Sequence, residues 1–391
     1  MSATIDKFNE HIMHTYGRLP IVLEKGSERT AVDEDGKSYV DFGSGIGTNS
    51  LGFCNDHWAD AVCAQVRSIQ HTSNYFYTAV QAEFAARLCS VTGYENVFFC
   101  NSGAEANECA IKIARKYSFD KYGEGRGTIV TLQNSFHGRT VTTLSATGQD
   151  VFHNYFFPFT PGFVHTPAND VPALEKLLNE DKSICAVMLE FIQGEGGVNV
   201  LDKAFVDAVF ALCGERDILV VADEVQSGVG RTGTFLASGR FNVKPDITTL
   251  AKGIAGGLPM GACLAGEKCA EVLTKGTHGS TFGGNPVCCA AANAVLDIVT
   301  GDGFLDEVIQ KGYYITSKLL EIDEVEGVDG AGLMLGVRLK TKKAADILTQ
   351  AADKGLLILT AKDKIRLLPP LNIGYDEIDK GIEILKELLG A

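Results

Sequence analysis

The feature that most constrains the fold is a succession of short, unbroken apolar runs set between stretches of helical periodicity. Asn96–Cys100 (NVFFC), Thr128–Leu132, Ile184–Glu190, Ile218–Asp223 and Asp246–Ala251 are apolar and strand-like, without the strict polar alternation of a half-exposed strand. Runs of this kind suit strands covered on both faces. An amphipathic stretch, Ala104–Tyr117, follows the first run, and Asp202–Arg216 reads as a helix between two others. Such βα alternation predicts an α/β fold with a mostly parallel sheet and helices on both faces. The ends read differently. Tyr39–Phe42 and Gly332–Leu339 resemble strands, and Leu305–Ile322 and Tyr375–Leu389 helices, of a smaller α+β lobe. No repeat or Pro/Ser-rich linker separates the parts. The expected division is residues 1–45 and 291–391 as two pieces of the small domain around a large domain at 46–290.

Composition removes several classes. With 391 residues, 45 % hydrophobic and 21 % charged, the chain can build two lobes around a sizeable core and is not disordered. A net charge of −14 without any basic run argues against nucleic acid as a partner. The first twenty residues lack an apolar core region and include Asp6 and Glu10, so no targeting segment is expected. No apolar run approaches the roughly 20 residues of a membrane span. Eleven scattered cysteines without a C-x-x-C pair fit reduced thiols in a cytoplasmic protein. Cys54 with His57, or His11 with His14, lacks a second pair at zinc-site spacing, so no metal is expected.

Three segments carry chemistry. Asn101–Asn107 (NSGAEAN) joins a strand to a helix; its small residues let an anion approach the free N–H groups of a helix start, although taken alone the segment reads first as an ordinary N-cap by Ser102. Val220–Gln226 (VVADEVQ) sets Asp223 at the C-terminal end of a buried strand, where open α/β sheets bind ligands and a carboxylate can hold a protonated ring nitrogen, or can equally cap a helix or pair with a nearby Arg. Thr249–Gly257 (TLAKGIAGG) places Lys252 after a strand among small residues, with space for a bulky group beside an amine that can lose its proton and attack a carbonyl. Two further glycine patterns point elsewhere. Gly228–Gly233 (GVGRTG) matches a dinucleotide fingerprint but runs into a stretch of poor helical periodicity, and Gly43–Gly47 reads as a flexible substrate-facing turn.

Taken in order, these segments make the chain resemble the class III, ω-amino-acid aminotransferases of pyridoxal-5′-phosphate (PLP) fold type I. The likeness runs from Tyr16–Pro20 (YGRLP) to Arg366–Pro370 (RLLPP), through Asp41-Phe42, Phe136–Thr140 (FHGRT), Gln193–Gly197 (QGEGG), Asp223–Gln226, Ala251–Gly253 and Gly279–Pro286 (GSTFGGNP). The short N-terminus and FHGRT segment look most like the acetylornithine-specific members. The resemblance implies that Lys252 forms the Schiff base with PLP and moves the proton, and that Asp223 pairs with the ring nitrogen. It implies that Val225 and Phe136 flank the ring, Gln226 bonds the phenolic oxygen, and Ser102, Gly103 and Ala104 hold the phosphate. Thr281 from a second subunit would complete that cup, making the protein a homodimer with shared sites, and Ser280 of that subunit would touch the acylated substrate. Arg139 would hold the distal carboxylate of either substrate and Arg366 the α-carboxylate of glutamate, with Glu195 as a gate that pairs with Arg366 when no α-carboxylate is present. The implied substrates are N2-acetylornithine and 2-oxoglutarate; ornithine, succinylornithine or 4-aminobutyrate as donor, or a PLP-binding regulatory protein, are the alternatives. In one place the chain departs from the family pattern: Phe191 follows Glu190 where relatives usually have Pro.

Overall fold

The computed structural model describes residues 2–390. Its central sheet has seven strands in the spatial order Asn96–Cys100, Gly261–Ala265, Ile247–Leu250, Leu219–Asp223, Ile184–Leu189, Thr128–Leu132 and Phe163–Thr166. Neighbours are parallel except Gly261–Ala265, which runs against both flanking strands. All five apolar runs identified in the sequence are strands here. The two strands missed are Gly261–Ala265, whose small residues have low β propensity, and the four-residue edge strand Phe163–Thr166.

Continuous apolarity has its expected cause: every residue of Ile184–Leu189 and of Leu219–Asp223 is buried. The helix Gly103–Tyr122 covers one face through Ile111 and Ile113, packed with Met188 and Val221. The helices Val171–Glu180 and Lys203–Arg216 cover the other through Leu174, Phe205 and Val209. Phe191 belongs to this second layer. Its ring is fully buried and stacks on Phe241 at 5.1 Å, a burial worth about 2 kcal/mol. The departure at Phe191 therefore acts as a packing anchor for the segment leading to Glu195.

Two four-stranded sheets accompany this layer, besides a two-stranded pairing of Ile192–Gln193 with Asn199–Val200. In the first, Leu356–Leu357 pairs in parallel with Ser38–Asp41, so segments from both ends of the chain share a sheet. In the second, Val325–Ala331, Met334–Leu339, Lys364–Leu367 and Leu359–Ala361 are antiparallel. The predicted helices fall at Phe304–Leu319 and Tyr375–Leu389. One apolar cluster runs from Phe42 and Phe84 through Leu250 to Leu385, joining the flanking elements to the central sheet. Among the described residues no single helix is long and apolar enough to cross a membrane.

Candidate active site

The C-terminal ends of adjacent strands bring the chemistry together. Asp223 closes its strand, and its register partner Thr249 lies three residues before Lys252. Lys252 opens a short 3-10 turn, Lys252–Ala255, with a left-handed φ of 43°. A non-glycine residue in that region costs on the order of 1–3 kcal/mol, a strain that collects at functional sites. The side chain is half-buried on the wall of a cavity of about 480 Å³, and desolvation holds its ammonium below the ordinary lysine range despite the nearby Asp223 and Glu195 charges.

Asp223 is fully engaged. Oδ2 accepts hydrogen bonds from Asn107 Nδ2 at 2.7 Å and His137 Nδ1 at 2.8 Å, and Oδ1 accepts the Val225 N–H at 3.0 Å. Asn107 is itself oriented by Thr249, whose hydroxyl donates to Asn107 Oδ1 at 2.7 Å. Burial works against a charged His137, but the hydrogen bond to Asp223 and the charges of Asp223 and Glu190 prevail, and its pKa lies above the usual histidine value. Its Nε2 is buried without a hydrogen-bond partner among the described residues. Glu190 accepts the Phe136 N–H at 2.9 Å and the Gly194 N–H at 3.3 Å, and burial lifts its pKa to about 7.

The helix Gly103–Tyr122 starts at the same edge. Ser102 is its N-cap and accepts the Glu105 N–H at 3.2 Å, so the ordinary capping role is realised. The cap does not exclude a ligand role, because Ser102, Gly103 and Ala104 all line the cavity. First-turn N–H groups have no acceptor within a helix, and the dipole there favours an anion. Gly103 is required for contact: a Cβ on it would lie 2.6 Å from Val225 Cγ1.

Two arginines complete the surroundings. Arg139 is exposed, lines the cavity and lies against two rings, 4.2 Å from the centroid of Phe152 and 5.5 Å from that of Phe136. Among the described residues it makes no ion pair. Arg366 is 3 % exposed. Its Nη1 donates to Glu195 Oε1 at 2.5 Å and to Gln226 Oε1 at 3.2 Å, while Gln226 Nε2 donates to Glu195 Oε1 at 3.3 Å. Desolvation opposes the Glu195 charge, yet Arg366 prevails and holds this carboxyl below the usual glutamate range.

Lys252, Asp223, Ser102, Gly103, Ala104, Phe136, Val225, Gln226 and Arg139 thus meet at one cavity, and Gln226 links it to Glu195 and Arg366. Ser280 and Thr281 stand outside it: Ser280 Oγ accepts from Asn101 Nδ2 at 3.2 Å, and Thr281 is exposed. Sequence reasoning missed the parts played by Asn107, His137, Glu190 and Phe152. The first two lay inside quoted motifs, and a polar residue four positions after Gly103 was the available signal for Asn107. Gly228–Gly233 forms a loop that Arg231 ties to Leu333 O at 3.1 Å, with no strand–turn–helix. Where the sequence suggested a flexible turn, Ser44–Gly47 is a single left-handed helical turn anchored by Asp41 Oδ1, which accepts the Gly43 and Ser44 N–H groups at 2.8 and 2.7 Å. His57 bonds Asp297 at 2.7 Å.

The class III aminotransferase model matches residues 12–389. An acetylornithine aminotransferase of Haemophilus ducreyi is 52 % identical, over 97 % of this chain and 96 % of that protein. Among solved structures, an acetylornithine aminotransferase from Elizabethkingia anophelis superposes with a TM-score of 0.87 at 33 % identity, over 99 % of this chain and 98 % of that one. An ornithine aminotransferase from Toxoplasma gondii, described with partial occupancy of PLP at its active site, gives 0.93 at 30 % identity, over 99 % and 93 %. The chain belongs to the class III aminotransferases, and its cofactor is PLP. The donor set fits that cofactor: a nucleophilic amine on the wall, an anion fixed by three donors on a strand end, and a helix N-terminus beside it.

Proposed function

We infer that this enzyme transfers the δ-amino group of N2-acetyl-L-ornithine to 2-oxoglutarate, giving N-acetyl-L-glutamate 5-semialdehyde and L-glutamate, a step of arginine biosynthesis. The observation that carries the reading is the unequal state of the two arginines. Arg139 is open to a carboxylate, whereas Arg366 is already neutralised by Glu195. An ω-amine donor brings no carboxylate on its reacting carbon and needs the second arginine masked; glutamate needs it exposed.

Bound in the cavity, PLP supplies a carbonyl carbon that exchanges amines and a ring that withdraws electrons from the substrate carbon. Lys252 Nζ, whose pKa burial lowers, would be the nucleophile toward that carbonyl and would carry the proton at the reacting carbon. Asp223 would hold the proton on the ring nitrogen, and the bonds from Asn107 and His137 keep its carboxylate fixed. Ser102, Gly103 and Ala104 would hold the phosphate, Val225 and Phe136 would flank the ring, and Gln226, bonded to Glu195, would serve the phenolic oxygen. Arg139 binds the distal carboxylate and Arg366 the glutamate α-carboxylate once Glu195 moves away.

The site is completed in a homodimer, with Thr281 reaching the other subunit's phosphate and Ser280 its acylated substrate. Their position outside their own cavity supports this, as do the exposed Tyr75, Phe76, Tyr77 and Phe282, an apolar surface suited to an interface. The lobes divide at about residues 45 and 290, and the enzyme works in the cytoplasm without nucleic-acid or membrane partners. The test is kcat/KM of the purified protein with 2-oxoglutarate and N2-acetylornithine, ornithine, succinylornithine or 4-aminobutyrate. Acetylornithine is expected to lead; a higher value for another donor would overturn the substrate. Borohydride should fix the cofactor to the wild-type chain and not to Lys252→Ala; retention of covalent cofactor in that variant would remove Lys252 from its role.

A further inference from the structure

The strand Lys364–Leu367 presents two cations on one face. Residues two apart point the same way, so Lys364 accompanies Arg366 toward the segment that carries Glu195. Lys364 is 8 % exposed, and its Nζ donates to Asn199 Oδ1 at 2.9 Å and to Asp329 Oδ2 at 2.8 Å. Asn199 Nδ2 in turn donates to the Gly196 carbonyl at 2.9 Å. Gly196 is the residue immediately after Glu195. Lys364 and Arg366 therefore grip two adjacent residues of one tight turn, Arg366 at the Glu195 carboxylate and Lys364, through Asn199, at the Gly196 carbonyl that follows it.

The turn needs such a hold. Its last residue, Val198, is a fully buried β-branched residue with φ of 55°, a conformation such side chains adopt only when their surroundings impose it. Those surroundings come from the strands beside Lys364. Val198 packs with Met334 and Leu368, and a Cβ on Gly336 would lie 2.8 Å from Val198 Cβ, so the backbone of that strand touches the turn directly.

We propose that Lys364 is a positioning residue for substrate selection: its link through Asn199 to Gly196 fixes the turn on which Glu195 rides, and so sets how firmly Glu195 masks Arg366. This rests on the gate reading of Glu195 given above. A firm turn favours the ω-amine donor, which requires the mask. A loosened turn lets Glu195 leave more readily, which favours glutamate. Lys364 touches neither substrate nor cofactor and acts only through the turn.

Asn199→Ala is the mild variant, since Asn199 is exposed and the Lys364–Asp329 pair survives; Lys364→Met is the stronger one. Single-turnover rates with N2-acetylornithine and with glutamate are measured separately for the holoenzyme. Loss of one such hydrogen bond should lower the ratio of acetylornithine to glutamate rates roughly 3- to 10-fold in Asn199→Ala. Lys364→Met should lower the ratio at least as far, and neither change should shift it further in a Glu195→Gln background. A purely structural role would slow both half-reactions alike and leave the ratio unmoved, which overturns the proposal. A ratio that moves equally in the Glu195→Gln background also overturns it, because the effect then bypasses the gate. If Glu195→Gln by itself leaves the ratio unchanged, the gate reading fails first; if it shifts the ratio while Asn199→Ala and Lys364→Met do not, only the role of Lys364 fails.

Discussion

The surroundings of Arg139 and Arg366 differ in nearly every respect that governs a guanidinium. Arg139 is exposed and rests on the rings of Phe152 and Phe136, with no carboxylate partner among the described residues, so an anion would meet it at little desolvation cost. Arg366 is buried, and its charge is met by Glu195 and Gln226. Removing one partner of such a pair leaves the other unmatched in a region of low dielectric. On the reading proposed above, the contrast is how one cavity would accept donors with one or two carboxylates: one anchor stays open, and the other becomes available only when its internal counter-ion withdraws.

The contrast breaks most visibly at Arg366. Truncating one member of a buried charge pair costs about 2–5 kcal/mol. Arg366→Ala should thus lower the glutamate half-reaction by roughly two to three orders of magnitude and the acetylornithine half-reaction far less. Stopped-flow absorbance with each donor separately checks this, and equal losses would mean that Arg366 does not discriminate.

Arg139→Lys keeps the charge and loses the planar fork, so it should slow both half-reactions, by roughly 10- to 100-fold if a charged hydrogen bond is lost. An effect confined to one substrate, seen in the two kcat/KM values, would contradict a shared anchor.

Glu195→Gln sharpens the comparison from the other side. Without its counter-ion Arg366 stays available, and preference should move toward glutamate by roughly tenfold. The same logic has a pH form. The Glu195 pKa is depressed, so the pair is complete above the ordinary glutamate value of about 4.5 and is lost only as pH falls through the lower folded value. The preference ratio should be flat across neutral and mildly acidic pH. A rise of the glutamate share already between pH 7 and 6 would assign the gate to another group.

The smallest effect is expected at Phe152→Leu, which removes the nearer ring beneath Arg139. An exposed cation–π contact is worth about 0.5–1 kcal/mol, so KM should rise roughly 2- to 5-fold for both substrates with kcat little changed.

Most of the central sheet was legible because the determinants are local. Runs such as Ile184–Leu189 are apolar throughout, and that pattern already states that both faces are covered. Gly261–Ala265 was not legible, because Gly, Ala and Cys carry little strand preference and this strand exists through its two antiparallel neighbours. Lys252, Asp223 and the start of the helix at Gly103 were readable as candidates for a similar reason: a reactive side chain at a strand end, or a run of small residues before a helix, is written in a few consecutive positions.

Asn107, His137 and Glu190 show where that legibility stops. Asn107 and His137 sat inside motifs, but their task of holding Asp223 arises between residues 116 and 86 positions apart. Glu190 gains its meaning from two backbone N–H groups on different loops. The sequence by itself determined the alternation of strands and helices, the candidate side chains that meet at one cavity and the family to which the chain belongs, because these follow from short patterns of size, charge and polarity. Only the tertiary structure decided which arginine is masked and which is open. Arg366 and Glu195 meet across 171 positions, and the burial that makes their pairing matter belongs to no local stretch of chain.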